Sequence, residues 1–315
     1  MKPKIYIDGS EGTTGLRIHE RLAPRGDIEL LHIDPALRKD PAARGALINE
    51  ADIVFLCLPD AAAREAVSLA VSGTTRIIDA STAHRVAPGW AYGFPELSPA
   101  HRAAIVSGSR IANPGCHATG FISLVYPLVA AGLLPADAVI PCFSLTGYSG
   151  GGKKMIAQYG AGDRDSELDS PRLYGLTQVH KHLPEMQKVC GLTRAPLFTP
   201  IVADYYAGML VSVQLDASQL RGISSLAQLH ACYADHYAGA RLVHVRPADA
   251  QAQVGGFLAA NARALWDGLE ILVTGNDERM VVSARFDNLG KGASGAAIQS
   301  MNLMLGCDEA TGLNA

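Results

Sequence analysis

The sequence predicts an α/β protein. Its first third should form a parallel sheet covered by helices on both faces, and its second half a mixed sheet with fewer helices. Three observations predict this. Short strand segments alternate with helical patterns through the first third of the chain. Several of those strands are apolar throughout, as strands buried on both faces are. Further along, strand-like segments follow one another with few helical patterns between them.

The first strand, residues 4–8, runs into Gly9-Ser10-Glu11-Gly12-Thr13-Thr14-Gly15 and then a helical pattern carrying Leu16, Ile18 and Leu22. This G-x-x-G-x-x-G turn is a one-residue variant of the dinucleotide fingerprint. Its glycines let the backbone approach a pyrophosphate, and the helix N-terminus supplies N–H donors. A second strand, residues 28–33, ends at Asp34, near the position from which a ribose is read. Arg38 and Lys39 follow. They read either as a clamp for a 2′-phosphate, which favours NADP over NAD, or as a solvated surface pair. Next come an apolar strand at residues 53–58, Pro59, an alanine-rich helix at 60–71, and a strand at 76–79 that enters Ala80-Ser81-Thr82-Ala83-His84-Arg85.

Residues 103–106 and then 110–112 read as strand-like lead-in to Asn113-Pro114-Gly115-Cys116-His117-Ala118-Thr119-Gly120, and an apolar helix begins beyond them. Pro114 and Gly115 impose a tight turn. Cys116 is therefore expected at a helix start, where N–H groups and dipole favour the nucleophilic thiolate. The turns at Gly9, Pro59, Ser81 and Cys116 all follow strands, where open parallel sheets bind their ligands. A strand at 139–146 leads to Gly147-Tyr148-Ser149-Gly150-Gly151-Gly152-Lys153-Lys154, read as a mobile, anion-handling loop or a flexible connection. An exposed loop is expected at 163–170. Strands are expected near 198–202, 209–215, 241–245, 270–274 and 279–286, and a closing helix at 296–305.

Composition narrows the function classes. The chain has 315 residues, 48% hydrophobic and 18% charged, with net charge −3, which leaves room for one large core or two domains. With no basic stripe, nucleic acid is not expected as a partner. The N-terminus enters a strand, with no signal-peptide core, and no segment reaches about 18 uninterrupted apolar residues, so a cytoplasmic protein without membrane association is expected. Six cysteines (57, 116, 142, 190, 232, 307) are scattered without metal-ligand spacing, so reduced thiols and no metal are expected.

A nucleophilic cysteine beside a nicotinamide site points to oxidoreduction at the acyl level. Thiolate attack on an activated acyl group gives a thioester, and hydride transfer gives a hemithioacetal that collapses to an aldehyde. A base is required. His180 and His182, two residues apart on a segment expected to be extended, share a face. As a metal pair they lack a third ligand. His117 ranks lower because neighbours at a helix start usually point apart. Arg85, His180, Lys153 and Lys154 are candidates to meet an anionic substrate.

The chain resembles the N-acetyl-gamma-glutamyl-phosphate reductases, in the shorter of their two forms (type 2), within the aspartate-semialdehyde dehydrogenase-like superfamily. The motifs that carry the resemblance are residues 9–15, 79–85, 92–97, 113–120, 147–154, 180–185 and 287–302. It implies a Rossmann-type doubly wound NADP domain completed by the C-terminal helix (residues 1–115 and 287–315). Between these it implies an inserted α+β catalytic, substrate-binding and oligomerisation domain with a mixed sheet (116–286). The implied reaction is NADPH-dependent reductive dephosphorylation of N-acetyl-glutamyl-5-phosphate to N-acetyl-glutamate 5-semialdehyde, in arginine biosynthesis. The implied partners are a small-molecule acyl phosphate and other copies of the chain, in a dimer or tetramer.

Carried over by residue, Cys116 is the acyl acceptor, with His182 preferred as base and His180 the alternative. Gly9, Ser10, Gly12, Thr13, Thr14, Gly15, Pro59, Ser81 and Asn288 fall to the cofactor, and Arg85, Asn113, Ser149, Gly150 and His180 to the substrate. Two positions depart from the longer form, which has Ser-Gly-small-Gly where this chain has Ser149-Gly150-Gly151-Gly152, and usually Tyr where this chain has His117. Rivals within the same chemistry are aspartate-semialdehyde dehydrogenase and N-acetyl-aminoadipyl-phosphate reductase. A non-catalytic nucleotide-binding sensor is the rival of another class, and it predicts that Cys116 or the histidine pair is dispensable.

Overall fold

The computed structural model describes residues 1–315, which divide into two compact units. One comprises Met1–Pro114 with Ala293–Leu313, the other Gly115–Gly292 with the last two residues. Residues 287–292, expected with the cofactor part, thus pack in the second unit. There Asp287 holds the turn, its carboxylate accepting from Leu289 N and its carbonyl from Gly292 N.

In the first unit the elements run β1 (Lys4–Asp8), α1 (Thr13–Leu22), β2 (Glu29–Leu31), α2 (Pro41–Glu50), β3 (Ile53–Leu56), α3 (Asp60–Leu69), β4 (Arg76–Asp79), β5 (Ala91–Tyr92), α4 (Pro99–Ser107) and β6 (Arg110–Ala112). The strands form one sheet in the order β2-β1-β3-β4-β6-β5, every pair parallel. Alternation sends Ile5, Ile7, Phe55 and Ile78 to one face, against Ile18 and Leu22 of α1 and Ile298 and Met301 of the C-terminal helix, Gly295–Leu305. Tyr6, Val54, Leu56 and Ile77 face the other way, onto Ile48 of α2 and Ala63 and Ala66 of α3. The sheet is doubly wound, and the C-terminal helix completes it. The chain steps outward from β1 to β2 and returns to β3, so the carboxyl ends of β1 and β3 form the switch point where such sheets bind ligands.

Residues 103–106 are not a strand. Ser98 accepts a hydrogen bond from His101 N and Pro99 opens the helix, so this apolar run is the second half of α4. Three residues, 110–112, suffice for the strand before the cysteine turn.

The second unit opens with α5 (Cys116–Ala130) and continues through β7 (Pro141–Gly147), α6 (Gly152–Gly160), β8 (Arg172–Leu173), α7 (Leu183–Val189), β9 (Leu197–Ala203), β10 (Met209–Asp216), α8 (Leu226–His236), β11 (Val243–Val245), α9 (Ala250–Gln253), β12 (Leu269–Gly275) and β13 (Arg279–Phe286). Its seven-stranded sheet has the order β11-β12-β13-β10-β7-β9-β8 and mixes parallel with antiparallel pairs. α5 is buried from His117 to Val125. Gly120 lets it close on the sheet, because a Cβ there would stand 2.4 Å from a Val211 methyl. Pro127 removes the N–H that would bond the Ser123 carbonyl. The Tyr237 hydroxyl donates to that carbonyl at 2.7 Å, and Tyr233 donates to the next one, Leu124, at 2.5 Å.

The glycine-rich stretch after β7 is not a loop. Tyr148–Gly151 is a 3-10 turn that leads directly into α6. Backbone donation from Tyr148 to Tyr205 and from Ser149 to Tyr206 holds it down.

Candidate active site

In the first unit, the turn after β1 is shaped by what its glycines lack. Gly9 has φ +87°, and a Cβ there would meet the Cys57 carbonyl at 2.5 Å. One at Gly15 would stand 2.3 Å from the Gly9 carbonyl. Gly12 differs: its nearest neighbour would be 3.4 Å away, so backbone packing does not demand a glycine. It is the N-cap residue of α1 and offers no side chain to the first N–H groups, while Thr13 and Thr14 form the first turn without an acidic residue. A helix N-terminus left this way suits an anionic group. Gly9, Ser10 and Glu11 line a cavity of about 580 Å³ together with Ile33, Pro35, Arg38, Lys39, Arg44 and Leu58.

Charges sort that cavity. Arg44 is buried and committed, bonding the Asp8 carboxylate at 2.9 Å and Glu65 at 3.0 Å. Burial nevertheless holds Asp8 above the usual carboxylate range. Arg38 pairs with Glu11 at the surface, and Lys39 is exposed. Asp34, expected near a ribose, instead accepts from Ala36 N at 2.9 Å and is not part of the lining. Pro59 caps α3. Ser81 donates to the buried Asp79 carboxylate at 2.7 Å, and the same carboxylate holds His84 Nδ1 at 2.6 Å. Arg85 donates to the carbonyls of Asn113 (3.0 Å) and Ala80 (3.1 Å). Asn113 donates to the Ala293 carbonyl, and its own amide oxygen is buried without a hydrogen-bond partner.

In the second unit Cys116 is the first residue of α5, behind Gly115, which provides no side-chain cap. Burial pushes the Cys57 thiol up to about 12, and those of Cys142 and Cys190 rise for the same reason. Cys116 is partly exposed, as are Cys57, Cys232 and Cys307, and it is the cysteine that opens a helix. Two contacts place its backbone. Gly115 N donates to the buried Glu185 carboxylate at 3.1 Å, and Gly292 lies so close that a Cβ there would be 2.9 Å from Cys116 Cβ.

The histidines gather around the helix start. His180 and His182 are not on an extended segment, since His182 is helical in backbone and opens α7. This turn brings their rings to 4.8 Å, and His182 N donates to His180 Nδ1 at 3.3 Å. His117 does not point away. Its ring lies 5.5 Å from each of the other two, buried against Phe198, with Nδ1 on Ser144 Oγ at 2.6 Å and Nε2 on Tyr174 OH at 2.5 Å. Burial foremost, then the charges of His180 and Lys181, depress His117 to about 3. Ser149 and Asn288 bond each other at 3.0 Å, and Asn288 also accepts from Gly208 N at 2.9 Å. Asn288, read as a cofactor contact, thus has its amide engaged within the second unit, while Gly150 is exposed.

Sequence reasoning missed Ser144, Tyr174 and the role of Glu185. The first two sit in a strand and a loop without a motif, although Glu185 does belong to the His-x-His-x-Pro-Glu segment that drew attention to the histidines.

A nucleotide-type α/β unit followed by a mixed-sheet unit that opens on a cysteine defines the class, and family descriptions match it in both parts. Residues 10–105 match the semialdehyde dehydrogenase NAD binding domain, and residues 116–288 the semialdehyde dehydrogenase dimerisation domain. The fold resembles aspartate semialdehyde dehydrogenase II of Vibrio cholerae (TM-score 0.71, 15% identity, 97% of this chain and 98% of that one). It also resembles the NADP complex of the Candida albicans aspartate semialdehyde dehydrogenase (TM-score 0.64, 17% identity, 97% and 99%). Sequence narrows the class. An N-acetyl-gamma-glutamyl-phosphate reductase of Chelativorans sp. is 49% identical over 97% of this chain and 99% of its own length, and one of Brucella ovis is 49% identical over 97% and 100%. The chain belongs to the N-acetyl-gamma-glutamyl-phosphate reductase family.

Proposed function

We propose that the protein reduces N-acetyl-glutamyl-5-phosphate to N-acetyl-glutamate 5-semialdehyde, with release of phosphate, as an NADPH-dependent step of arginine biosynthesis. One observation carries the reading: a partly exposed cysteine opens a buried helix beside three histidines, in a chain 49% identical to reductases of that name over nearly its whole length. The family's NAD binding domain matches the first unit from Ser10 of the glycine turn onward, and the uncapped start of α1 suits a pyrophosphate. Bound NADPH supplies the hydride.

The chain's own residues do the rest. Cys116 sulfur attacks the acyl carbon and expels phosphate, leaving the acyl group on the enzyme as a thioester. Backbone N–H groups at the start of α5 face the developing oxyanion. After reduction, loss of the hemithioacetal proton releases the aldehyde and restores the thiolate. His182 is the base. His180 Nδ1 accepts the His182 backbone N–H, so a neutral His180 carries its proton on Nε2 and is a donor toward an anionic substrate, which leaves the base's role to His182. Ser149, Gly150, Arg85 and Asn113 remain candidate substrate contacts, with no metal in the scheme.

The second unit also presents an apolar sheet face. Phe143 of β7, Leu173 of β8 and Leu197 of β9 are exposed on the side that carries Leu145 and Ile201. Within the matched dimerisation domain, this face fits a second copy of the chain, making a dimer or, by a further contact, a tetramer. A Phe143→Asp chain that sediments as the wild type does would refute that surface.

The functional reading is tested in reverse. N-acetyl-glutamate semialdehyde with NADP and phosphate should yield NADPH, while aspartate semialdehyde should give little. Preference for the latter would overturn the substrate.

A further inference from the structure

The chain places a histidine directly after the nucleophile, and three observations give it a task. His117 is 3% exposed, and both its ring nitrogens are used, one by Ser144 and one by Tyr174. Ser144 lies on β7 with no accessible surface, and Tyr174, just beyond β8, is partly exposed. The Tyr174 ring stands 5.9 Å from His180, and that of His117 5.5 Å from both His180 and His182, so the phenol belongs to the cluster that opens on Cys116.

The direction of these hydrogen bonds follows from the buried hydroxyl. A neutral imidazole has one donor and one acceptor nitrogen. If His117 Nδ1 carried the proton, Ser144 Oγ would accept it. Its own hydrogen would then be left in the core without a partner, which costs roughly 1–3 kcal/mol. With Ser144 donating to Nδ1, no group is orphaned. The proton of His117 then sits on Nε2 and is donated to the Tyr174 oxygen, which leaves the phenolic O–H to donate outward. His117 stays neutral while it does so, because its burial among Tyr174, His180, His182, Phe198 and the nearby Lys181 depresses it to about 3. Tyr174 keeps its proton because burial and the charge of Cys116 both raise it.

We propose that Ser144 and His117 form a directed hydrogen-bond chain that fixes Tyr174 as a donor to an oxygen of the acyl substrate held at Cys116. His117 and Ser144 are positioning residues, and Tyr174 is the group that meets the ligand. This assignment rests on the functional reading above and deepens it.

The test is a double-mutant cycle in the reverse assay, with Tyr174→Phe and Ser144→Ala, both of which preserve shape. Tyr174→Phe should raise the semialdehyde KM about 10-fold and leave the NADP KM unchanged, as loss of one hydrogen bond to the substrate predicts. Ser144→Ala should raise the same KM about 3-fold, because His117 can then turn its proton to Nδ1 and take up the phenolic hydrogen. In the Tyr174→Phe background, Ser144→Ala should add nothing. Additive effects, a matching rise in the NADP KM, or an unchanged Tyr174→Phe enzyme would each overturn the chain. A wild type that does not turn over the semialdehyde would overturn the functional reading instead.

Discussion

The two turns to which the proposed chemistry is assigned are built in opposite ways. The turn of residues 9–15 is closed from within: Gly12 N bonds the Gly9 carbonyl at 3.1 Å, and Gly15 packs on the same carbonyl. What it offers a ligand is backbone. The turn at Gly115 and Cys116 offers a side chain, and six distant residues assemble its setting. Glu185 holds Gly115, Gly292 clears space beside Cys116, and Ser144, Tyr174, His180 and His182 surround His117. A site that reads a ligand with N–H groups needs local sequence alone. A site that moves electron pairs and protons needs functional groups from several elements.

The comparison breaks most severely at Cys116. Cys116→Ser should fold and bind NADPH as the wild type does, yet lose on the order of 10³-fold or more in turnover, because a hydroxyl cannot replace the thiolate. Retained turnover would remove Cys116 from its role, and lost NADPH binding would show that the two turns are not separable. Next in size, His182→Asn should slow turnover about 10²-fold and His180→Asn less, with the larger share of the latter in KM. The reverse ranking in steady-state kinetics would exchange base and donor.

This difference also explains what was legible in the sequence. The doubly wound sheet, the glycine turn, the helix start at Cys116 and the mixed sheet were readable because local patterns set them. Residues 103–106 misled because four apolar residues suit a strand or a helix face equally, and Ser98 and Pro99 decided for the helix. The stretch 147–154 misled because its glycines suggested freedom, while Tyr205 and Tyr206 hold it in place. His117 was ranked down on the rule that neighbours diverge at a helix start. The rule fails because β7 presents Ser144 to one nitrogen and the segment after β8 presents Tyr174 to the other.

His117 also gives the catalytic turn a pH dependence of stability. Its folded pKa of about 3 lies below the ordinary histidine value of 6.5, so the unfolded chain binds the extra proton between those two values. The contribution is therefore complete above pH 6.5 and is lost as pH falls toward 3. From this group alone, stability at pH 5 should be roughly 2 kcal/mol lower than at pH 8, about 30-fold in the folding equilibrium. Denaturant titrations at the two pH values should show that His117→Gln removes this difference. If the variant keeps it, the ring is not buried as a neutral base.

The smallest effect sharpens the cofactor side. Of the three cations that line the cavity beside Gly9, Arg44 is bonded to Asp8 and Glu65, which leaves Arg38 and Lys39 toward a ligand, and Asp34, expected to read a ribose, is turned to its own loop. That arrangement suits a 2′-phosphate. Arg38 is shared with Glu11, and both side chains are well exposed, so solvent screening limits what the pair contributes. Arg38→Ala or Lys39→Ala should each raise the NADPH KM about 5-fold, the equivalent of roughly 1 kcal/mol, with the NADH KM unmoved. Glu11→Gln, which frees Arg38, should lower the NADPH KM by a smaller factor. If NADH and NADPH respond alike to these changes, the cations are ordinary surface charge, and discrimination between the two cofactors lies in the backbone turn itself.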